Sequence, residues 1–433
     1  MGVGTLGTGR SVIDWPSGLT VYDRDRCYPG YTLFTPFHSP MAYLLDMNGE
    51  VVHLWMTPQT IHAKYVGNGH ILVTSLSRSI EAWVYDITGE DTFKGVWLSE
   101  FDWAGNLVWK YKLKDDPDDP HGARSTIGWD PKYRVILAHH DFQRLPNGNT
   151  LILASARVTN KDISDFELLD DYFLEVKPDG TPVWKWHANE HYDEFTYSDE
   201  TRRLIREAPG VHMGLSLGDY QHGNTAEILP ETELGKRDSR FRAGNILGCQ
   251  RNCNTIFIID KPTGKVVWDW GRDHLVGPHH PTMLENGNIL IYDNGGQGGY
   301  PRRTRIFTRL VEMNPETGEI VWTYMHEPHR FYHHKFFSFS WGSAQRLPNG
   351  NTLSLDANRG RLFEITREGD IVWEYVNGFM GRMTWGRERM NVRLETGVYR
   401  CYRIPYDAVP DFSSDFTYNY EGEATILRHP GMA

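Results

Sequence analysis

The chain has 433 residues, of which 39% are hydrophobic, 13% aromatic and 23% charged, and its formal net charge is −11. This composition is typical of a soluble globular protein, and an acidic chain without a Lys/Arg cluster is not expected to bind nucleic acid. The sequence contains no run of about eighteen apolar residues, so we expect no membrane span.

The start of the chain and its cysteines bear on location. Residues 1–15 lack the basic and apolar regions of a secretory signal, so we expect a cytoplasmic protein, or an exported one if a leader has been removed. The four cysteines are too few for a disulfide framework, which mildly favours a reducing compartment: Cys27, Cys249, Cys253 and Cys401.

Two short signatures recur along the chain. An acidic or Gly turn followed by an apolar residue and Trp occurs at 49–55, 105–111, 180–186, 264–270, 318–324 and 369–375. A Gly turn, usually Asn-Gly, followed by β-forming residues occurs at 68–72, 147–153, 243–247, 286–291 and 349–355. Because Asn-Gly favours tight hairpins, these signatures indicate a repeated unit of four antiparallel strands.

A repeated four-stranded unit predicts an all-β fold, a six-bladed β-propeller, with seven blades as the alternative count. We expect one domain over residues 1–433, with blades at about 28–57, 58–115, 136–192, 212–272, 276–327 and 336–378. One chain end, either the head or the irregular tail 379–433, is expected to supply a strand that closes the ring. The signature tryptophans are expected to pack between blades.

Histidines recur before the Asn-Gly turns, where each blade begins its inner strand. Counting back from the first Asn of the turn places four residues at one offset: His62, Asp141, His280 and Ser343. His140 and His279 lie one residue earlier, and His222 occupies the comparable place in the fourth blade. Since inner strands line the channel of a propeller, we expect these imidazoles to converge on its axis.

Two further residues point to an anion in the channel. Arg251 interrupts an apolar strand, and a buried Arg needs either an anionic ligand or a carboxylate partner; the sequence leaves both open. Asn224 follows His222 by two residues, which on a strand places both side chains on one face.

The ordered motifs resemble the arylsulfate sulfotransferase (ASST) family from about residue 28 to 378. They are HGN at 222–224, NILGCQRN with Arg251, HHPTMLENGNILIYDNG at 279–295, HHDFQRLPNGNTLIL at 139–153, and the segment 343–366. The resemblance implies a six-bladed propeller that moves a sulfuryl group from an aryl sulfate to a phenol through a sulfohistidine. It implies neither a nucleotide donor nor a required cofactor.

The resemblance also implies roles for individual residues. His280 matches the nucleophile, with the adjacent His279 leaving the choice between the two imidazoles open, and His139 or His140 matches a further active-site histidine. We therefore predict a catalytic set of His280, His222, Arg251 and His140. The predicted substrate-binding set, for a small aromatic or anionic substrate, is Asn224, His139, His279, His62 and Tyr220.

Two other classes of function fit the same residues. A propeller polysaccharide lyase, or another metal-dependent enzyme, would hold a divalent ion (Zn, Mn or Ca) on His140, His222 and His280. In the lyase, Tyr220 and Tyr292 are candidate acids. A non-catalytic scaffold whose rim binds another protein is the third class. The oligomeric state is not predicted.

Overall fold

The protein is a six-bladed β-propeller, as the repeated signatures predict. The computed structural model describes residues 17–74, 97–112, 137–210, 218–296, 298–325, 335–384 and 392–411. They form six antiparallel sheets, five of four strands and one of five, together with one two-stranded sheet. Residues 412–433 of the predicted tail lie outside the described residues.

The strands follow one another through the sheets in chain order. The first is β1 (Gly18–Tyr22), and blade 1 then takes β2 (Tyr31–Pro36), β3 (Ser39–Leu45) and β4 (Val51–Thr60). Blade 2 contains β5 (Ala63–Gly67), β6 (His70–Thr74), β7 (Trp97–Phe101) and β8 (Leu107–Lys112). Blade 3 contains β9 (Leu137–Arg144), β10 (Thr150–Val158), β11 (Leu168–Val176) and β12 (Pro182–His187).

The second half of the ring repeats this order. Blade 4 contains β13 (Gly223–Ile228), β14 (Ile246–Gln250), β15 (Thr255–Asp260) and β16 (Lys265–Trp270). Blade 5 contains β17 (Pro278–Met283), β18 (Ile289–Asp293), β19 (Arg309–Met313) and β20 (Ile320–Tyr324). Blade 6 contains β21 (Ala344–Arg346), β22 (Thr352–Asp356), β23 (Arg361–Ile365) and β24 (Ile371–Val376). The chain then forms β25 (Gly381–Thr384), β26 (Val392–Glu395) and β27 (Val398–Ile404).

Helices are few among the described residues. The two α-helices are α1 (Asp199–Glu207) and α2 (Glu233–Arg237), and short 3-10 turns occur at Ala188–Glu194, Ser239–Phe241, Ala357–Arg359 and Tyr406–Ala408. The Ser198 hydroxyl caps α1 by accepting from the Thr201 amide. Neither helix is long and apolar enough to cross a membrane.

Both chain ends, rather than one, contribute a strand to the ring. β27 pairs antiparallel with β2 and becomes the innermost strand of blade 1, so the first and last parts of the propeller share one sheet. β1 pairs antiparallel with β24 and becomes the outer, fifth strand of blade 6. The pairing of β27 with β2 places the segment near residue 400 in the channel, beside residues of blades 2 to 5.

The signature tryptophans join neighbouring blades, which confirms their predicted position. In five blades the indole N–H donates to a backbone carbonyl of the next blade at 2.8–3.1 Å: Trp55 to Asp102, Trp109 to Pro178, Trp184 to Lys261, Trp322 to Arg367 and Trp373 to Met47. A buried indole needs such an acceptor, so each bond satisfies the ring and fixes the blade spacing.

The hydrophobic core lies between adjacent blades. One cluster, for example, joins Leu151 and Phe173 of blade 3 to Ile246 and Phe257 of blade 4, all at most 1% exposed. Burying side chains of this size stabilises the fold by about 1.5–3 kcal/mol each, so rigid blades can hold polar groups in the channel.

Candidate active site

The inner strands are irregular where they carry histidines. In β9, β13 and β17 the pairing with the next strand shifts register at or beside a histidine. His140 and His280 have φ angles of 56° and 48°, and His222, immediately before β13, has 56°. Left-handed backbone at residues other than Gly costs on the order of 1–3 kcal/mol, and such strain collects at functional sites. The bulges therefore direct these imidazoles away from the regular strand positions.

The channel histidines fall into two groups with different charged neighbours. The Arg251 group consists of His139, His140, His222, His279, Asp219 and Arg251. The Arg400 group consists of His62, His280, Lys64, Asp141 and Arg400. The adjacent residues His279 and His280 thus belong to different groups, as do His140 and Asp141, whereas His139 and His140 belong to the same one.

Three imidazoles of the Arg251 group touch one another. The Nδ1 atoms of His139 and His140 lie 2.6 Å apart, so one donates a hydrogen bond to the other. The His140 ring meets the His222 ring edge-on with centroids 4.8 Å apart. Burial lowers the pKa of His139 to about 4, and burial with the charge of His222 places the pKa of His140 well below its usual value. These rings are therefore neutral at neutral pH.

His222 is oriented by a carboxylate. Its Nδ1 donates to Asp219 Oδ2 at 2.5 Å, which leaves Nε2 free of a proton in the neutral ring. Burial raises the pKa of Asp219, but the adjacent His222 and Arg251 outweigh burial and hold it below the usual value. The pair has the form of a general base with an orienting carboxylate.

His279 has a defined tautomer. Its Nδ1 contacts two acceptors, the Asn294 side-chain oxygen at 2.7 Å and the Gly277 carbonyl at 3.2 Å. The Asn294 amide nitrogen donates to the Ser338 and Trp341 carbonyls, which fixes its oxygen as the acceptor. Nδ1 must therefore carry the proton, and Nε2 presents a lone pair. Burial and then the charge of Arg251 keep the His279 pKa well below its usual value, so the ring stays neutral.

Arg251 meets no carboxylate. The guanidinium is 3% exposed, and its Nε and Nη2 atoms both donate to the Asn252 side-chain oxygen at 3.1 Å. Among the described residues no Asp or Glu oxygen lies within ion-pair distance of it. Burial lowers the pKa of Arg251 to about 10, which still leaves it charged at neutral pH. Of the two partners that the sequence left open, this geometry favours an anionic ligand.

The Arg400 group, by contrast, is internally paired. Asp141 Oδ1 lies 3.0 Å from Arg400 Nη1 and 2.8 Å from Lys64 Nζ, while Oδ2 accepts from the Ala226 amide at 2.9 Å. His62 Nε2 donates to the His140 carbonyl at 2.6 Å. Lys64 also pairs with Glu227 at 2.7 Å, so the buried charges balance. The Arg400 group therefore has a structural role: its paired charges connect neighbouring blades.

His280, the predicted nucleophile, belongs to this second group. Its ring centroid lies 6.0 Å from that of Tyr402, and both side chains line a cavity of about 240 Å³. Burial, then Arg400 and Lys64, lower the His280 pKa. The structure therefore separates His279 and His280, which the motif alone left as alternatives.

Two predicted substrate-binding residues are engaged elsewhere. Asn224 donates from its amide to the Pro278 carbonyl at 2.8 Å and accepts from Thr225, so it ties blade 4 to blade 5. His222 precedes β13 with positive φ, so the strand alternation expected for His222 and Asn224 does not hold. Tyr220 is fully buried and donates to Asp170 at 3.1 Å, away from the imidazoles.

The predicted metal-binding set is not assembled. His140 and His222 adjoin, but His280 lies in the Arg400 group. In the parts of the chain that the structure describes, no group of three or more His, Cys, Asp or Glu side chains is arranged to hold a metal ion.

Several residues of the channel were missed from the sequence. Tyr399 is fully buried, and its ring lies 5.3–6.4 Å from those of His62, His140 and His279. It comes from β27, as does Arg400, and no repeat signature marks that strand. Asp219 could have been found, because an acid three residues before His222 is adjacent to a motif. Asn294 lies within the 279–295 motif, where the sequence favours a turn with a possible substrate contact.

Comparison with known proteins identifies the class. The arylsulfotransferase (ASST) family model matches residues 95–378, and the chain belongs to this family. No curated protein matches the chain.

Similar solved structures include a protein of unknown function from Bacteroides caccae, with 14% identity, TM-score 0.47, and coverage of 86% of this chain and 98% of that chain. Another is a virginiamycin B lyase from Staphylococcus aureus, with 11% identity, TM-score 0.40, and coverage of 84% and 85%. Both likenesses are too weak to carry a functional inference.

Proposed function

We propose that this protein transfers a sulfuryl group from an aryl sulfate to a phenol through a sulfohistidine formed on His279. Membership of the arylsulfotransferase family supports the reaction class. The observation that carries the choice of residue is the hydrogen bonding of His279, whose Nδ1 is held by Asn294 and Gly277. A neutral imidazole with a free Nε2 lone pair is what attack on sulfur requires.

Arg251 supports the same reaction. A sulfuryl group moves with negative charge on its oxygens, and fixed donors must stabilise that charge, as in phosphoryl transfer. Arg251 is a buried cation that forms no ion pair with the described residues, and it acts on His140, His222 and His279 alike. In this proposal the guanidinium binds the sulfuryl oxygens beside the nucleophile.

His222 completes the chemistry on the acceptor side. With its Nδ1 bound to Asp219, the neutral ring offers Nε2 as a base for the acceptor hydroxyl. Proton transfer of this kind contributes about 10²–10⁴ in rate. His279 thus serves as nucleophile, Arg251 as anion binder and His222 as base.

The uronate-lyase alternative gains no support from its expected acids. Tyr220 donates to Asp170, and Tyr292 donates to the Leu355 carbonyl at 2.8 Å. Both hydroxyls are buried in contacts that a proton donor to substrate would have to break.

Turnover of p-nitrophenyl sulfate with phenol as acceptor tests the proposal. We expect nitrophenol release with equal formation of phenyl sulfate. His279→Ala should abolish both, while the matched neighbour variant His280→Ala keeps activity if it folds. Absence of sulfuryl transfer by the wild type, or unsaturated products from an acidic polysaccharide, would refute it.

A further inference from the structure

We propose that Asp171, His139 and His140 form a proton relay that protonates the departing phenolate and recovers the proton from the acceptor. The inference rests on the proposed function. The neutral imidazoles of the Arg251 group cannot act as charged acids, so the leaving oxygen needs another proton source. Asp171 on β11 is a carboxyl group beside this cluster that the reaction has not yet used.

The three side chains lie in sequence, with one gap wider than a hydrogen bond. Asp171 Oδ1 lies 4.0 Å from His139 Nε2, and His139 Nδ1 lies 2.6 Å from His140 Nδ1. Asp171 Oδ2 and His139 Nε2 are both buried without a hydrogen-bond partner. A shift of about 1 Å would bring His139 Nε2 within hydrogen-bond distance of the carboxyl group. Because buried polar atoms without a partner are costly, these two neighbouring side chains each have one atom available for a proton transfer.

The surroundings of Asp171 favour a stored proton. The Gly223 amide donates to Oδ1 at 2.9 Å, and a Cβ at position 223 would lie 2.8 Å from the carboxyl atoms, so glycine permits this approach. Burial and then the negative charge of Asp219 raise the pKa of Asp171 well above its usual value, against the smaller effect of Arg251. These surroundings favour the protonated form of the carboxyl group.

In the first half-reaction, His279 Nε2 forms a bond to sulfur while the bond from sulfur to the aryl oxygen breaks. The electron pair stays on that oxygen, which takes the proton from His140 Nε2. His140 Nδ1 takes the proton of His139 Nδ1, and His139 Nε2 takes that of Asp171 Oδ2. Both imidazoles end neutral in the opposite tautomer, and Asp171 becomes a carboxylate.

The second half-reaction reverses each transfer. The acceptor phenol gives its proton through His140 and His139 to Asp171 as its oxygen bonds to sulfur and the nitrogen–sulfur bond breaks. When the leaving group has taken the relay proton, the acceptor proton returns through His140 to Asp171. When the leaving group departs without a proton, Asp171 stays protonated, and His222 is the base that takes the acceptor proton and releases it to solvent. Only one proton is stored between the halves, and no imidazolium forms along the relay.

Leaving-group dependence tests the relay. p-Nitrophenolate departs without a proton, whereas phenolate from phenyl sulfate needs one. The comparison is made on the first half-reaction, as release of the first equivalent of phenol in a single turnover. We expect Asp171→Asn to slow this step for phenyl sulfate by about 10²-fold or more relative to p-nitrophenyl sulfate. His139→Gln should show the same split, which keeps the test available if Asp171→Asn does not fold.

Asp170→Asn is the matched control. Asp170 is the adjacent carboxylate, but it binds the Asn189 backbone and side chain and the Tyr220 hydroxyl. Its variant should lose stability without altering the ratio between the two substrates. Equal effects of Asp171→Asn on both substrates would overturn the relay while leaving the proposed function intact. A wild type that transfers no sulfuryl group would overturn both.

Discussion

Arg251 and Arg400 are both buried cations, yet only Arg400 has a carboxylate partner. Arg400 lies 3.0 Å from Asp141, whereas Arg251 donates only to the amide oxygen of Asn252. Asp219 stabilises the charge of Arg251 from beyond ion-pair distance, but burial outweighs this and lowers the Arg251 pKa, so the fold tolerates Arg251 at the expense of stability. A loss of stability of this kind is expected where anion binding requires a cation that is not already in an ion pair.

Arg251→Gln should therefore separate activity from stability. We expect kcat/KM for p-nitrophenyl sulfate to fall by about 10²–10³, because one donor to the sulfuryl oxygens is lost. The free energy of unfolding in urea should stay unchanged or rise, because a buried charge that forms no ion pair leaves the interior. A variant that keeps its activity but loses several kcal/mol would instead mark Arg251 as structural.

At the scale of elements, the C-terminal strand carries the main departure from the sequence prediction. The repeats predict the six blades, their Gly turns and the tryptophan contacts between blades. They do not predict β27, because its sequence VYRCYRI has no Asn-Gly turn and places Arg400 and Arg403 where apolar residues would mark a buried strand. Those charges are accommodated by Asp141 and Glu364 on other blades.

The bulges explain the other departure, which concerns the histidines. A count of residues back from the Asn-Gly turns aligns Asp141 with His280 only if all inner strands have the same length. The observed pairing places Ala138 opposite Ala154 and Pro278 opposite Asp293, so His140 and not Asp141 corresponds to His280. One extra residue in β9 shifts the count, and sequence spacing alone does not reveal a bulge.

The link between β27 and blade 3 can be measured by a double-mutant cycle. Arg400→Met should lower the free energy of unfolding by about 3–5 kcal/mol, because Asp141 loses a buried partner. Adding Asp141→Asn should recover part of that loss, with Lys64 still paired to Glu227 in every variant. If urea unfolding shows the two single losses simply adding, the pair is not coupled.

At the scale of the whole molecule, buried histidines should make stability depend on pH. Burial is the first cause that lowers the pKa of eight histidines: His38, His53, His62, His139, His140, His222, His279 and His280. For His38, His53 and His139 the value falls to about 4. A raised pKa of an acid has the opposite effect, because it makes stability fall as the pH rises. Among the described residues, burial raises the pKa of four acids in this way: Asp171, Glu227, Asp356 and Glu364.

We therefore expect the free energy of unfolding to fall as the pH drops from about 7 to about 5. A histidine in the unfolded chain gains its proton near pH 6.5, whereas a buried one in the folded protein gains it only at lower pH. The stabilisation that comes from these neutral histidines is therefore fully present above pH 6.5 and is lost as the pH falls towards 4. For His38, His53 and His139, whose folded pKa falls to about 4, the contribution is about 3 kcal/mol each. Urea unfolding at several pH values measures the slope, and a flat or inverted slope would contradict the account.

His53→Phe provides the control for this prediction. The His53 ring stacks on Trp103 with centroids 3.7 Å apart and an angle of 10°, so phenylalanine keeps the stacking and removes the titration. Its pH slope should be shallower than that of the wild type. An unchanged slope would assign the pH dependence to other groups.

The most direct measurement is mass spectrometry of the protein after brief reaction with p-nitrophenyl sulfate in the absence of an acceptor. The account predicts one added sulfuryl group on the peptide containing His279 and His280, lost on addition of phenol. His279→Ala should not be labelled, and folded His280→Ala should be labelled like the wild type. Labelling that survives in His279→Ala, or is lost only in His280→Ala, would contradict the assignment of His279 as the nucleophile.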